Sequence, residues 1–308
     1  MSFSQSFTRY LSLVKFSHTL FAMPFAFIGF TIGYRSLSMS DYTPSAVTFY
    51  PALGILNNIG AKLIAVILCM IFARNSAMAF NRYIDAQFDK LNPRTAIREI
   101  PAGIIPKHHA LRFVVINCML FMLTTFFING SCFPLSPVAL FVILFYSYTK
   151  RFTPLCHLVL GLGLSLAPIG AYLAITNHFA VLPILFSVLV MSWVSGFDIL
   201  YALQDEEFDR ENQLRSIPVL LGRRKAMLVS NGLHLITAAI VLYIGYAYLG
   251  NVWYWTGAFI FTGLLVYQHI LVKPTDISRI NLAFGTTNGI ASVVFACFVI
   301  LSILLMHA

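Results

Sequence analysis

The chain has 308 residues, of which 59% are hydrophobic and only 10% charged, and its mean hydropathy is +0.82. A soluble domain carries about 25% charge, and one globular core cannot hide this much apolar surface, so the composition predicts an integral membrane protein. The net charge of +9 would suit nucleic acid, but the placement of the basic residues, described below, argues against that partner.

A membrane-crossing helix needs roughly twenty mainly apolar residues. In chain order such stretches lie at 16–35, 57–79, 110–128, 134–148, 157–175, 181–200, 228–248, 253–272 and 282–306. The polar N-terminal stretch enters the first without a convincing small-residue cleavage site, so no removable signal peptide is expected. The fourth stretch is the weakest, being short and carrying Pro134 and Pro137, and an eight-span reading would demote it. Cys69, Cys118, Cys132, Cys156 and Cys297 form no C-x2-C pair, so neither zinc nor a disulfide framework is expected.

Nine spans sort the charges. Every Lys and Arg except Arg35, Lys62 and Arg74, and every acid except Asp41, falls on the side that carries the N-terminus. Positive residues favour the cytoplasm, so the N-terminus is expected inside and the C-terminus outside. Segments 129–133, 176–180 and 249–252 on the opposite side are short and almost uncharged. The charged segments 80–109 and 201–227 are long, and function is expected there. An internal repeat is faint: Asp85 and Asp205 stand 120 residues apart, as do Asp89 and Asp209.

Those acids carry the chemistry. Asn81-x3-Asp85-x3-Asp89 follows the second span, and Asp198-x2-Tyr201-x3-Asp205-x3-Asp209 follows the sixth. Residues four apart share one helical face, so each motif predicts a stripe of oxygen donors. Acids at a bilayer edge are expensive, and their mutual repulsion is relieved by a multivalent cation. An all-oxygen donor set suits Mg2+, which binds through a few carboxylates plus phosphates. No Cys/His mixture for zinc is present, and His157, His178, His234, His269 and His307 are dispersed without metal spacing. The stretch Asn92–Gly103 follows the first motif and holds Arg94 and Arg98 between Pro93, Pro101 and Gly103. Arginine forks grip phosphate or carboxylate oxygens. Lys150-Arg151 and Arg215 can add a second phosphate clamp, or serve only to orient helix ends. Arg223-Arg224-Lys225 reads as contact with anionic lipid. His18 and Arg74 are candidates for an acidic partner. Gly161-Leu162-Gly163 lacks the strand context of a dinucleotide fingerprint and reads as close helix packing with Ser165.

These motifs resemble those of the UbiA family of intramembrane aromatic prenyltransferases along nearly the whole chain. The resemblance also covers Tyr146-x3-Lys150-Arg151-x-Thr153 and the stretch from Lys15 to Pro24. Its closest flavour is the bacterial quinone-pathway branch, acting on 4-hydroxybenzoate or on 1,4-dihydroxy-6-naphthoate; Arg98-Glu99-Ile100-Pro101 looks more like the naphthoate relatives. The resemblance implies one all-α domain over residues 1–308, with nine helices around a central cavity in the bacterial inner membrane. It implies Mg2+ held by Asn81, Asp85, Asp89, Asp205 and Asp209, and a polyprenyl diphosphate held by Arg94, Arg98, Lys150, Arg151 and Arg215. Asp85, Asp198, Tyr201 and Asp205 would be catalytic, with Asp198 activating the acceptor, and His18 and Arg74 would bind an aromatic hydroxy acid. A haem farnesyltransferase, a lipid-ether enzyme and a proton-coupled transporter are the competing expectations.

Overall fold

The computed structural model describes Tyr10, residues 12–14, 22–39 and 56–306. Among these the chain is helical, with turns and one isolated antiparallel bridge between Lys273 and Asp276. Among the described residues, nine long helices lie on the nine apolar stretches. They are α1 (Met23–Met39), α2 (Ile59–Ile84), α3 (Lys107–Ile128), α4 (Cys132–Thr149), α5 (Cys156–Thr176), α6 (Val181–Ala202), α7 (Ile217–Ala247), α8 (Val252–Leu271) and α9 (Asn288–Leu304). Seven of them are long and apolar enough to cross a membrane. The described part of α1 is shorter, and α8 is diluted by Trp253, Tyr254, Trp255, Gln268 and His269. Large apolar side chains face outward, among them Phe259 at 80% and Leu235 at 71% exposure. Water would not tolerate such a surface, and lipid does. The protein is a multi-pass membrane protein.

Neighbours in sequence are mostly neighbours in space, and α9 returns to pack on α1. The inner aromatic core joins α1, α6, α8 and α9 through Phe25, Trp193, Phe261 and Phe295, all fully buried. Two local sequence features make the close helix contacts. On α1, a Cβ at Gly29 would overlap the Pro168 carbonyl oxygen of α5. On α5, a Cβ at Gly161 would meet the Met191 carbonyl oxygen of α6 at 2.6 Å and would overlap Ser195 Oγ. The close packing expected of the Gly161–Gly163 stretch is therefore made by Gly161 against Ser195. Ser165 instead donates to its own helix at Leu162 O, 2.8 Å.

The weak fourth stretch does form a helix, and the sequence shows how. Pro134 sits in the first turn, where its missing N–H costs no bond. Pro137 would leave Phe133 O without its donor, and the Ser136 hydroxyl supplies one at 2.7 Å.

Both charged segments contain more helix than a loop reading allows. After α2 the chain turns at Asp85 (φ −87°, ψ 5°) into the short helix Ala86–Leu91. After α6 it passes through a 3-10 turn, Leu203–Asp205, into the short helix Glu206–Glu211, with Asp205 at φ −104°, ψ 3°. The two halves thus repeat one shape: long helix, break at an aspartate, six-residue helix. Helix α7 begins at Ile217, capped by Ser216, and is interrupted at Gly222 (φ 74°), a left-handed conformation that suits glycine.

Candidate active site

The expected stripe of oxygens is bent rather than straight. Asp85 N–H still donates to Asn81 O (2.9 Å), and Asp89 N–H to Asp85 O (2.8 Å). The side chains therefore stay in register through the break. Asn81 Nδ2 donates to Asp85 Oδ2 at 3.0 Å.

Asp85, Asp89, Asp205 and Asp209 each face one Arg or Lys. Arg94 donates from Nη2 to Asp205 Oδ2 at 2.5 Å and from Nε to Oδ1 at 3.2 Å. Arg98 Nη1 donates to Asp89 Oδ1 at 2.6 Å. Lys150 Nζ lies 2.7 Å from Asp209 Oδ1. Arg151 Nη2 reaches Asp85 Oδ1 and Ile84 O, each at 3.1 Å, and its guanidinium stacks on Phe88 and Tyr148. Arg94 also donates to the Tyr201 hydroxyl at 3.1 Å and lies over its ring. Asn92 Nδ2 adds a long contact to Asp205 Oδ1, 3.4 Å, while its Oδ1 accepts from Arg94 N–H at 3.0 Å. That turn aims the guanidinium. The segments after α2 and α6 are thus one structure.

The ionisation states follow from burial and these pairs. Burial pushes the Asp85 carboxyl up to about 6; Arg151 opposes the rise and Asp89 adds to it. Lys150 is held above the ordinary lysine range: burial disfavours its charge, but Asp209, then Asp205, outweighs that. Arg94 is likewise raised, Asp205 outweighing burial. Lys150 also acts on Asp85, so one ammonium is felt by acids of both motifs.

The donor set fits a hard divalent cation. Every donor is oxygen, and Asp89 Oδ2 and Asp209 Oδ2 are buried with no hydrogen-bond partner among the described residues. Buried acceptors of that kind want a cation or a proton donor. Among the described residues no three Asp, Glu, His or Cys side chains stand together as a finished cage. The arginines and Lys150 neutralise the acids instead.

Beside the acids lies an apolar cavity of about 330 Å³, lined by α2, α3, α4 and α5 with Ala22 at one end. It runs along α2 from Val66 to Met78, and Arg74 and Tyr146 are the large polar side chains on its wall. Arg74 Nε is buried there without a partner among the described residues. Tyr146 stands within electrostatic range of Arg74, Asp85 and Asp198.

The description of the UbiA prenyltransferase family matches residues 43–295. The chain belongs to that family. Similar UbiA-family proteins include the 4-hydroxybenzoate octaprenyltransferase of Aliivibrio fischeri, 29% identical over 76% of this chain and 81% of the relative. That of Aeromonas hydrophila is 28% identical over 77% and 83%. Among solved structures, a UbiA homolog from Aeropyrum pernix K1 superposes with a TM-score of 0.77 at 26% identity, covering 92% of this chain and 97% of that one. A UbiA homolog from Archaeoglobus fulgidus, bound to GPP and Mg2+, superposes at 0.69 with 21% identity, over 96% and 99%.

Of the residues expected for a UbiA protein, Asp85, Asp89, Asp205 and Asp209 pair with Arg151, Arg98, Arg94 and Lys150 in turn, with Asn81 on Asp85 and Tyr201 on Arg94. Arg215 does not join them through its side chain: it is exposed and donates to Phe152 O at 2.9 Å. His18 lies outside the described residues. Three residues escaped the sequence reading. His157 is buried with Nδ1 2.7 Å from Asp198 Oδ2. Arg82 is buried beside Asp89, with Nε and Nη1 lacking partners among the described residues. Asn92 joins the two motifs. No spacing announces the His157 pair, because its members lie on different helices.

Proposed function

We propose that this protein transfers a polyprenyl group from polyprenyl diphosphate to a ring carbon of an aromatic hydroxy acid, in quinone biosynthesis. The observation that carries this reading is the contact between the segments that follow α2 and α6, through Arg94, Asn92 and Asp205, near an apolar cavity walled by Arg74 and Tyr146. The names of the relatives support 4-hydroxybenzoate as the acceptor, with 1,4-dihydroxy-6-naphthoate and its menaquinone pathway as the other arm of the test. Family membership sets the transporter reading aside.

The residues divide the work. The apolar cavity takes the prenyl tail, each buried methylene contributing about 0.8 kcal/mol, so the tail binds tightly while its length is poorly selected. Asn81, Asp85, Asp89, Asp205 and Asp209 would hold Mg2+. An ion held there would supply positive charge that favours the departing diphosphate over the intact donor. Arg94, Arg98, Lys150 and Arg151 move from the carboxylates to diphosphate oxygens as substrate enters, so no charge stays unpaired in either state; Arg215 supports this clamp from the rim. Tyr201 faces the developing allylic cation with its ring or steadies the diphosphate with its hydroxyl. Arg74 and His18 engage the acceptor carboxylate. Asp198, with Asp85 as the second candidate, takes the proton of the acceptor hydroxyl. The ortho carbon then bonds to the prenyl C1 as the C1–O bond to diphosphate breaks. The ring proton leaves to pyrophosphate, and Asp198 returns its proton to the oxygen. Closure of the two acidic segments excludes water, which would quench the cation.

In the membrane, nine spans carry the site, with the N-terminus and both acidic segments on the cytoplasmic side of a bacterial inner membrane. The test is direct. Purified protein receives labelled polyprenyl diphosphate and a panel of aromatic hydroxy acids, with and without EDTA. Label should pass to one acceptor only when Mg2+ is present, and Asp85→Ala and Asp205→Ala should insert normally but not turn over. Full transfer after thorough chelation rejects the metal-assisted reading.

A further inference from the structure

From the buried contact between α5 and α6, we infer that His157 is the positioning residue for Asp198, and that the two form an imidazole–carboxylate dyad. This rests on the reading of Asp198 as the base toward the acceptor. The hydrogen bonds hold the ring from both sides. Ile217 N–H, at the start of α7, points at His157 Nε2 from 3.4 Å. A nitrogen facing an N–H must accept, so the proton of a neutral ring sits on Nδ1. Nδ1 lies 2.7 Å from Asp198 Oδ2 and donates to it.

The setting makes the bond consequential. The His157 side chain is 3% exposed, and among the described residues Asp198 is the acid in hydrogen-bond contact with it. Ser195 donates to His157 O at 3.1 Å, which pins the backbone beneath the ring. Asp198 is 21% exposed and stands within range of Tyr146, on the cavity wall beside Arg74. The imidazole therefore occupies Oδ2 from the protein side and leaves Oδ1 for the acceptor hydroxyl. Orienting a base through one oxygen while the other works is how buried His–carboxylate pairs set geometry and charge. The dyad also ties the base to the N-terminus of α7, so the strength of the base depends on the second acidic segment being folded.

The two ring nitrogens can be separated by amide mimics. His157→Asn places an N–H where Nδ1 was, and keeps donation to Asp198. His157→Gln places its amide near Nε2, keeps the partner of Ile217 and loses donation to Asp198. Both purified variants and the wild type are assayed with polyprenyl diphosphate, Mg2+ and the preferred aromatic hydroxy acid. The Asn variant should keep kcat within about fivefold of wild type. The Gln variant should lose about 50-fold or more in kcat, with KM for the diphosphate within twofold, because donor binding does not pass through Asp198. Equal kcat in the two variants, whether both high or both low, overturns the dyad and assigns His157 to packing. A wild type that prenylates no aromatic hydroxy acid overturns the parent reading instead, so the two failures are told apart.

Discussion

Arg94 and Asp205 are joined by two hydrogen bonds, at 2.5 and 3.2 Å, although 111 residues separate them. That fork is the hinge pin between the two halves of the site. A lysine would keep the charge and lose the planar, two-pronged match. Arg94→Lys should lower kcat/KM by about 10²-fold and leave insertion and helix content intact, as read by steady-state assay and circular dichroism. A near-wild-type Arg94→Lys would show that the fork contributes charge alone.

Lys150 and Asp209 make a pair in which the acid is only 1% exposed. Removing the cation strands a buried carboxylate, whereas removing both leaves an apolar contact. In metal-free protein, Lys150→Met should cost about 3 kcal/mol of stability. The double variant Lys150→Met/Asp209→Leu should recover most of it and remain inactive. Thermal unfolding in detergent checks the first two values, and prenyl transfer the third. A double variant no more stable than the single one would mean that the loss comes from the Lys150 side chain's own packing and not from a stranded Asp209.

Asp85 sets a pH dependence with a definite sign. Its carboxyl titrates near 6 because burial disfavours the charged form. Protons and Mg2+ compete for the same oxygens, so the half-saturating Mg2+ concentration should be flat above pH 7 and climb as pH falls below about 6, by up to tenfold per unit. Stability without metal runs the other way. The raised value means that the fold favours neutral Asp85; its contribution is complete below the ordinary carboxylate range and is lost as pH rises through about 6. Mg2+ titrations of activity at pH 5.5, 6.5 and 7.5 read the first effect, and melting in EDTA the second.

Gly29 lets α1 rest on the Pro168 carbonyl of α5. A methyl there has no room and must push two helices apart. Gly29→Ala should destabilise by about 1–3 kcal/mol, seen as a lower melting temperature. Gly170→Ala, where nothing stands within 4 Å of a new Cβ, should leave that temperature unchanged and serves as the control. Equal melting of both variants would remove the close contact from the account.

The sequence by itself determined the class of protein, the nine apolar stretches, the two acidic motifs and the all-oxygen donor set, because hydropathy and i, i+4 spacing are local properties that the chain states directly. It also singled out Arg94, Arg98, Lys150 and Arg151, which the structure places against the motif acids. What it could not state is who pairs with whom. Asp85 and Asp205 break their helices, so a straight-stripe reading missed the bend that turns both six-residue helices. The bond from Ser136 to Phe133 O rescues a helix that proline content had made doubtful. His157, spaced like any solitary histidine, acquires a role only when α5 lies on α6 and brings Asp198 to 2.7 Å. Partner choice among buried charges is decided by which helices touch. That follows from where Gly29 and Gly161 allow close approach, information that exists only once the helices are assembled.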